Sequence, residues 1–140
     1  MKRDNSNSDG IVPINFQPIP KRFMVWDTVK KKFFEDRQDG KVLTLHTLLD
    51  TLGSRFYLES EWHICQSTNL FDQNGKEIFE GSILRKASKD YLVVFRDGKF
   101  MCDGVPQTSL KAMAEHGVLV GHILSNPELV EEKCVSTAKK

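Results

Sequence analysis

Cysteine is scarce in this chain of 140 residues. Cys65, Cys102 and Cys134 are an odd number, far apart, with no Cys-x-x-Cys among them. That argues against a disulfide framework and for reduced thiols in a cytoplasmic setting. Long apolar runs are missing as well. No stretch approaches the ~20 residues that cross a bilayer. The basic start Met1-Lys2-Arg3 leads into polar residues rather than the apolar segment of a secretory leader. Net charge is nearly absent, at +1, so no bulk attraction to nucleic acid or to a membrane surface is expected. The glycines are scattered as turn residues and form no phosphate-cradling loop.

Catalytic and metal-binding sets are equally thin. The histidines are His46, His63, His116 and His122. His63 and Cys65 fall on one face of an expected strand, but two ligands do not make a zinc site. Cys102 beside Asp103 invites a nucleophile, yet no Cys–His signature accompanies it. The expected role of Cys102 is that of a small buried apolar group. Glu77 and Glu80 lie three apart on a turn-to-strand segment, where nothing sets their environments against each other as acid–base chemistry requires. The sequence therefore predicts no catalytic residue, no metal and no cofactor.

What is present is a succession of short strands punctuated by turns. Phe23, Val25 and Trp26 open a strand, Asp27-Thr28 starts a turn, and Lys32-Phe33-Phe34 returns as a hairpin. Gln38-Asp39-Gly40 is another turn. Leu45, Leu48, Leu49 and Leu52 recur at helical spacing, and Gly53 supplies a stop. A strand over residues 61–67 would put Trp62, Ile64 and Gln66 on one face and His63 and Cys65 on the other. Asn74-Gly75 reads as a tight turn, since both residues tolerate positive φ. Ile83 to Lys86 is a strand, and Lys89-Asp90 reads as the next turn. Tyr91-Leu92-Val93-Val94-Phe95 is the strongest strand signal in the chain. Asp97-Gly98 is a favoured hairpin turn, and Lys99 to Cys102 returns. Thr108-Ser109 can cap a helix through Glu115 with Leu110, Met113 and Ala114 on one face. Gly117 ends it, Val118 to Ile123 forms the last strand, and a helical turn follows from Pro127.

Three blocks, the first of them in several pieces, resemble a known family. Thr68-Asn69-Leu70, then Asn74-Gly75-Lys76-Glu77-Ile78-Phe79, then Glu80-Gly81-Ser82-Ile83-Leu84 stand where the YopX family of small phage and prophage proteins carries Thr-Gly-Leu, Asn-Gly-Lys-Glu-Ile-Tyr and Glu-Gly-Asp-Ile-Val. Arg22-Phe23-Met24-Val25-Trp26-Asp27 is similar to the family's opening Lys-Phe-Arg-Ala-Trp-Asp. Gly121-His122-Ile123-Leu124-Ser125-Asn126-Pro127-Glu128-Leu129 is similar to its closing Gly-Asn-Ile-Tyr-Glu-Asn-Pro-Glu-Leu. Asn69 replaces a glycine, and asparagine is the next best residue for a left-handed position. Met24 replaces an arginine and Ser82 an aspartate. The resemblance implies a phage or mobile-element origin, an SH3-like barrel in the C-terminal half, and no particular reaction.

The expected fold is mainly β, an α+β arrangement. An arm over 1–20 precedes a hairpin and short helix over 21–70. A small SH3-like barrel with an inserted helix follows over 71–132, and a tail over 133–140. The expected role is a non-enzymatic module that binds a host or phage protein in the bacterial cytoplasm. The alternative is a weak nucleic-acid binder, if folding gathers Arg85, Lys86, Lys89, Arg96 and Lys99 on one side of the barrel. Phe71 and Tyr91 adjoin turns and are the aromatic candidates for a binding surface, whereas Phe79 and Phe95 are expected in the core. Finally, residues 11–20 carry Ile11, Val12, Ile14, Phe16 and Ile19 among three prolines. Such a segment is extended and too apolar for a solvated leader. It is expected to lie in a groove of its own chain as part of a monomer, with an arm-mediated homodimer as the alternative.

Overall fold

Turn chemistry sets the strand pairing. In this computed structural model, which describes residues 15, 16, 18–53 and 62–130, the chain order is β1 (Arg22–Asp27), β2 (Lys32–Phe33), β3 (Leu43–Thr44), α1 (Leu45–Gly53), β4 (Trp62–Phe71), β5 (Glu77–Phe79), β6 (Ser82–Lys86), β7 (Lys89–Arg96), β8 (Lys99–Cys102), α2 (Leu110–Glu115) and β9 (Val118–His122). Between β7 and β8, Asp97 and Gly98 have φ of 53° and 80°, and Arg96 faces Lys99. That is the two-residue turn whose twist matches the flanking strands. The β6–β7 turn is of the same kind but sits at Ala87 and Ser88, with φ of 52° and 66°. The expectation of a turn at Lys89-Asp90 is overturned, since both residues begin β7. It fails there because neither Ala87 nor Ser88 is a residue that advertises positive φ.

The turn between β4 and β5 is built differently from its sequence signal. Only Gly75 takes positive φ, at 83°, and Asn74 does not. Gly75 N–H donates to the Asp72 carbonyl at 2.9 Å, and Asp72 N–H donates to the Lys76 carbonyl at 2.8 Å. The Asp72 side chain completes the loop. Its Oδ1 accepts from Asn74 N–H and Lys76 N–H, and its Oδ2 accepts from Leu119 N–H at 2.7 Å. One buried carboxylate thus ties the turn to the start of β9. Burial pushes its pKa up, but the donors from Leu119, Lys76 and Asn74 outweigh this and hold it below the usual carboxylate value.

All pairings are antiparallel. One sheet runs β2-β1-β4-β5, with β3 also on β1, and the other runs β9-β6-β7-β8. The protein is mainly β, and its second half curls into a half-barrel. Two apolar cores result. Val25, Leu43, Leu48 and Trp62 form one. Ile78, Leu84, Val93, Cys102, Leu110, Met113 and Ala114 form the other, inside the curl. Helix α2 follows its sequence signal closely: the Ser109 side chain caps it by accepting from Ala112 N–H, and Leu110, Met113 and Ala114 are buried.

Strand β4 serves both cores, which overturns the simple alternation expected of it. Trp62 is buried but Ile64 and Gln66 on the same face are exposed, while Cys65 and Ser67 are buried on the other. The buried face switches as the strand leaves the first core for the second. A bulge then keeps it there. The register shifts between Ser67 and Leu70, and Asn69 adopts φ of 63°, so Leu70 joins the barrel core. In α1, only Leu48 of the described leucines is buried, and Leu45 and Leu49 are exposed. The first fourteen residues, the Leu52 side chain, Glu61, Cys134 and the tail lie outside the described residues.

Candidate functional site

The five basic residues are not brought together. Lys86 and Lys89 face each other at one end of β7, and Arg96 and Lys99 do so at the other end. Seven residue steps at ~3.3 Å separate the two pairs by roughly 23 Å. Two of the cations are also matched by carboxylates. Arg85 reaches both oxygens of Asp90, at 2.7 and 3.1 Å, and Arg96 reaches Asp103 at 2.8 Å. Of the aromatic candidates, Phe71 is 47% exposed, whereas Tyr91 is half-buried against the barrel core. Phe79 is buried as expected. Phe95 is 53% exposed and meets Phe100 edge to face with ring centroids 5.0 Å apart, so its assignment to the core is overturned. It lies beyond the end of β6, where no strand among the described residues covers it.

That exposure marks a groove. Its walls are Ile64 and Cys65 from β4, Leu92 to Arg96 from β7, and Ile123 and Leu124 after β9. Its floor is Glu80, Gly81 and His122, and its volume is about 410 Å³. A second hollow of about 540 Å³ lies across His122, lined by Phe33, Val42 and Phe79 among others. None of the exposed large apolar side chains lines that one, whereas Ile64, at 44% exposed, and Phe95 both line the first.

The groove is flanked by two open strand edges. On β4, Gln66 C=O accepts from Glu80 N–H at 2.9 Å, so backbone groups of even residues point to the β5 side and those of odd residues to β1. Pairing with β5 begins at Ser67. Ile64 N–H and C=O therefore face the groove without a paired strand among the described residues. On β7, Leu92 C=O accepts from Asp103 N–H and Val93 C=O from Gly81 N–H, both at 2.8 Å. Phe95 shares the direction of Val93, away from β8. Pairing with β6 has ended at Leu92, so Phe95 also presents its N–H and C=O to the groove.

The corner between β5 and β6 holds these edges apart. Gly81 has φ of 92°, and a Cβ on it would stand 2.5 Å from His122 Cε1. Glycine is needed there for both reasons. The His122 ring rests against this bare backbone and meets Phe33 edge to face. Its Nδ1 accepts from Leu124 N–H at 3.1 Å, which leaves the proton on Nε2 to be donated to the Glu80 carbonyl at 2.8 Å. Burial lowers the His122 pKa despite that carbonyl, and the ring is neutral near pH 7. The two described thiols are inert in the same sense. Burial, with the Glu80 charge nearby, pushes Cys65 up to about 12, and burial pushes Cys102 up to about 11. Both stay protonated at neutral pH and are poor nucleophiles.

The groove was not legible beforehand. Ile64 reads as a core residue in an alternating strand, and Phe95 closes an uninterrupted apolar run. The signal lies in pairing rather than residue type: β6 is too short to cover the whole of β7, and Gly81 marks where it stops.

No curated protein matches the chain. Among solved structures, the crystal structure of protein EF1440 from Enterococcus faecalis is similar, with a TM-score of 0.54 and 22% identity over 81% of this chain and 99% of that one. At that identity the likeness concerns the fold. The family model described as YopX protein matches residues 21–131, which takes in β1, the Asp72 turn, the Gly81 corner and β9. The chain belongs to the YopX family.

Proposed function

We propose that this chain is a non-enzymatic protein-interaction module, and that its binding face is the groove between β4 and β7. The observation that carries this reading is the coincidence of two open strand edges with two exposed apolar side chains, Ile64 and Phe95, around one concave floor. Such an edge binds extended polypeptide, with backbone bonds giving affinity and side-chain hollows giving selectivity. The neutral, doubly engaged His122 and the protonated thiols support a role without chemistry. We read the half-barrel as SH3-like, because β6, β7 and β8 form a meander and α2 precedes a last strand that returns to β6. By this reading the module serves a phage or integrated element in the bacterial cytoplasm. The nucleic-acid alternative is weakened by the split of the basic residues and by the Asp90 and Asp103 ion pairs.

The test is comparative capture from a bacterial host lysate with the native chain and with Phe95→Glu as baits. A saturable partner retained by the first and lost by the second supports the proposal. Capture that is absent, or indifferent to Phe95→Glu, counts against it. Retention of DNA or RNA by both baits at low salt, falling steeply as salt rises, would favour the alternative.

A further inference from the structure

We propose that the N-terminal arm of a second copy of this chain occupies the groove between β4 and β7, so that two copies exchange arms. The inference rests on the reading of that groove as a protein-binding face, and it names the occupant. The arm is apolar and uncharged from Ile11 to Pro20. On its own chain it leaves Phe16 55% and Ile19 59% exposed. Its own groove is uncovered at Ile64 and Phe95 in the same structure. Exposed apolar side chains at the described end of the arm and an exposed apolar groove are complementary between copies.

The sequence of the arm fits an open edge. From Ile11 to Gln17 the only proline is Pro13. In an extended segment the backbone groups of alternate residues point to the same side. Val12, Ile14 and Phe16 all retain their N–H, so one edge of the arm is intact over this stretch. The missing donor of Pro13 faces the opposite edge, where it costs no bond. Pro18 and Pro20 then end the pairing and stiffen the link to β1. Ten residues of extended arm span up to ~33 Å, about the width of a domain this size, so the arm can cross to a neighbour. Exchange in both directions gives a closed two-fold dimer.

Light scattering on the full chain tests this, with two lesions made separately in that chain. One is the triple change Val12→Ser, Ile14→Ser and Phe16→Ser in the arm. The other is Phe95→Glu in the groove, with Ile64→Glu as a second groove lesion should the first fail to fold. The expected result is a dimer for the native chain and a folded monomer for each lesion. A second measurement locates the arm. Chains carrying Phe16→Cys are mixed with chains carrying Ile64→Cys, all with Cys134→Ser, and oxidised. A disulfide between the two kinds of chain is expected. A native chain that is monomeric at every concentration overturns the inference, as does a dimer that survives both lesions. Failure of the mixed chains to cross-link, while a chain carrying both Phe16→Cys and Ile64→Cys closes a disulfide within itself, also overturns it. If the inference fails while Phe95→Glu still abolishes capture of a lysate partner, the interaction reading stands alone. If capture is also indifferent to Phe95→Glu, both fall.

Discussion

Two glycines show how differently the same residue type is constrained. At Gly75 a Cβ meets nothing within 4 Å, so only the positive φ is at stake. At Gly81 the φ of 92° is joined by a Cβ position 2.5 Å from the His122 ring, which is held on both nitrogens. Gly75→Val should therefore lower stability by about 1 kcal/mol, and Gly81→Ala by more, roughly 2 kcal/mol or above. Urea denaturation midpoints check the order. Equal losses would mean that the His122 ring yields freely. His122 itself carries a pH signature. Its pKa is lowered in the folded chain, so the unfolded chain binds more protons as pH falls. The stability it contributes is fully present above the ordinary histidine value of about 6.5 and is lost progressively below it, toward the folded pKa. Thermal unfolding of the native chain should show a fall between pH 7.5 and 5.5. His122→Gln should flatten that slope. A native chain equally stable across the window would contradict this placement of the ring. Gly81 stands in the family motif, but the reason for a glycine there was not legible, because His122 lies forty-one residues away in sequence.

Among the elements, α2 and the β7–β8 hairpin were legible because their signals are local: a Ser109 cap with helical spacing, and an Asp97-Gly98 pair. The β6–β7 turn and β4 were not. Ala87 and Ser88 hold positive φ that neither residue prefers, and only the flanking pairings Lys86 with Lys89 and Arg85 with Asp90 impose it. The turn is a place where the sequence can be improved. Ala87→Asn with Ser88→Gly should raise stability by about 1 kcal/mol, since both replacements accept the left-handed conformation. An unchanged or lower unfolding midpoint would show that the turn is not of this type. β4 defied its alternation because it belongs to two cores, and tertiary burial overrides the period of a single face. The left-handed conformation of Asn69 was anticipated from the residue that replaces the family's glycine, and its φ of 63° agrees; the bulge it makes was not.

Across the whole molecule, β4 serves both cores, and the groove lies between it, β7 and the Glu80-Gly81 corner. Its residues come from four separate stretches of the chain, so no motif contains it. That is why the fold was largely legible and the candidate site was not: each strand declares itself locally, whereas an edge is open only by virtue of what fails to reach it. The decisive claim is that the backbone groups of Ile64 and Phe95 face this groove without a paired strand among the described residues, while those of Cys65 and Val94 are bonded to β1 and β8. Amide hydrogen exchange followed by NMR reads this directly. It is best done on the full chain with Val12, Ile14 and Phe16 replaced by serine, so that the arm does not compete. The account predicts rapid exchange at Ile64 and Phe95 beside slow exchange at Cys65 and Val94. Protection at Ile64 and Phe95 equal to that of their neighbours would contradict it.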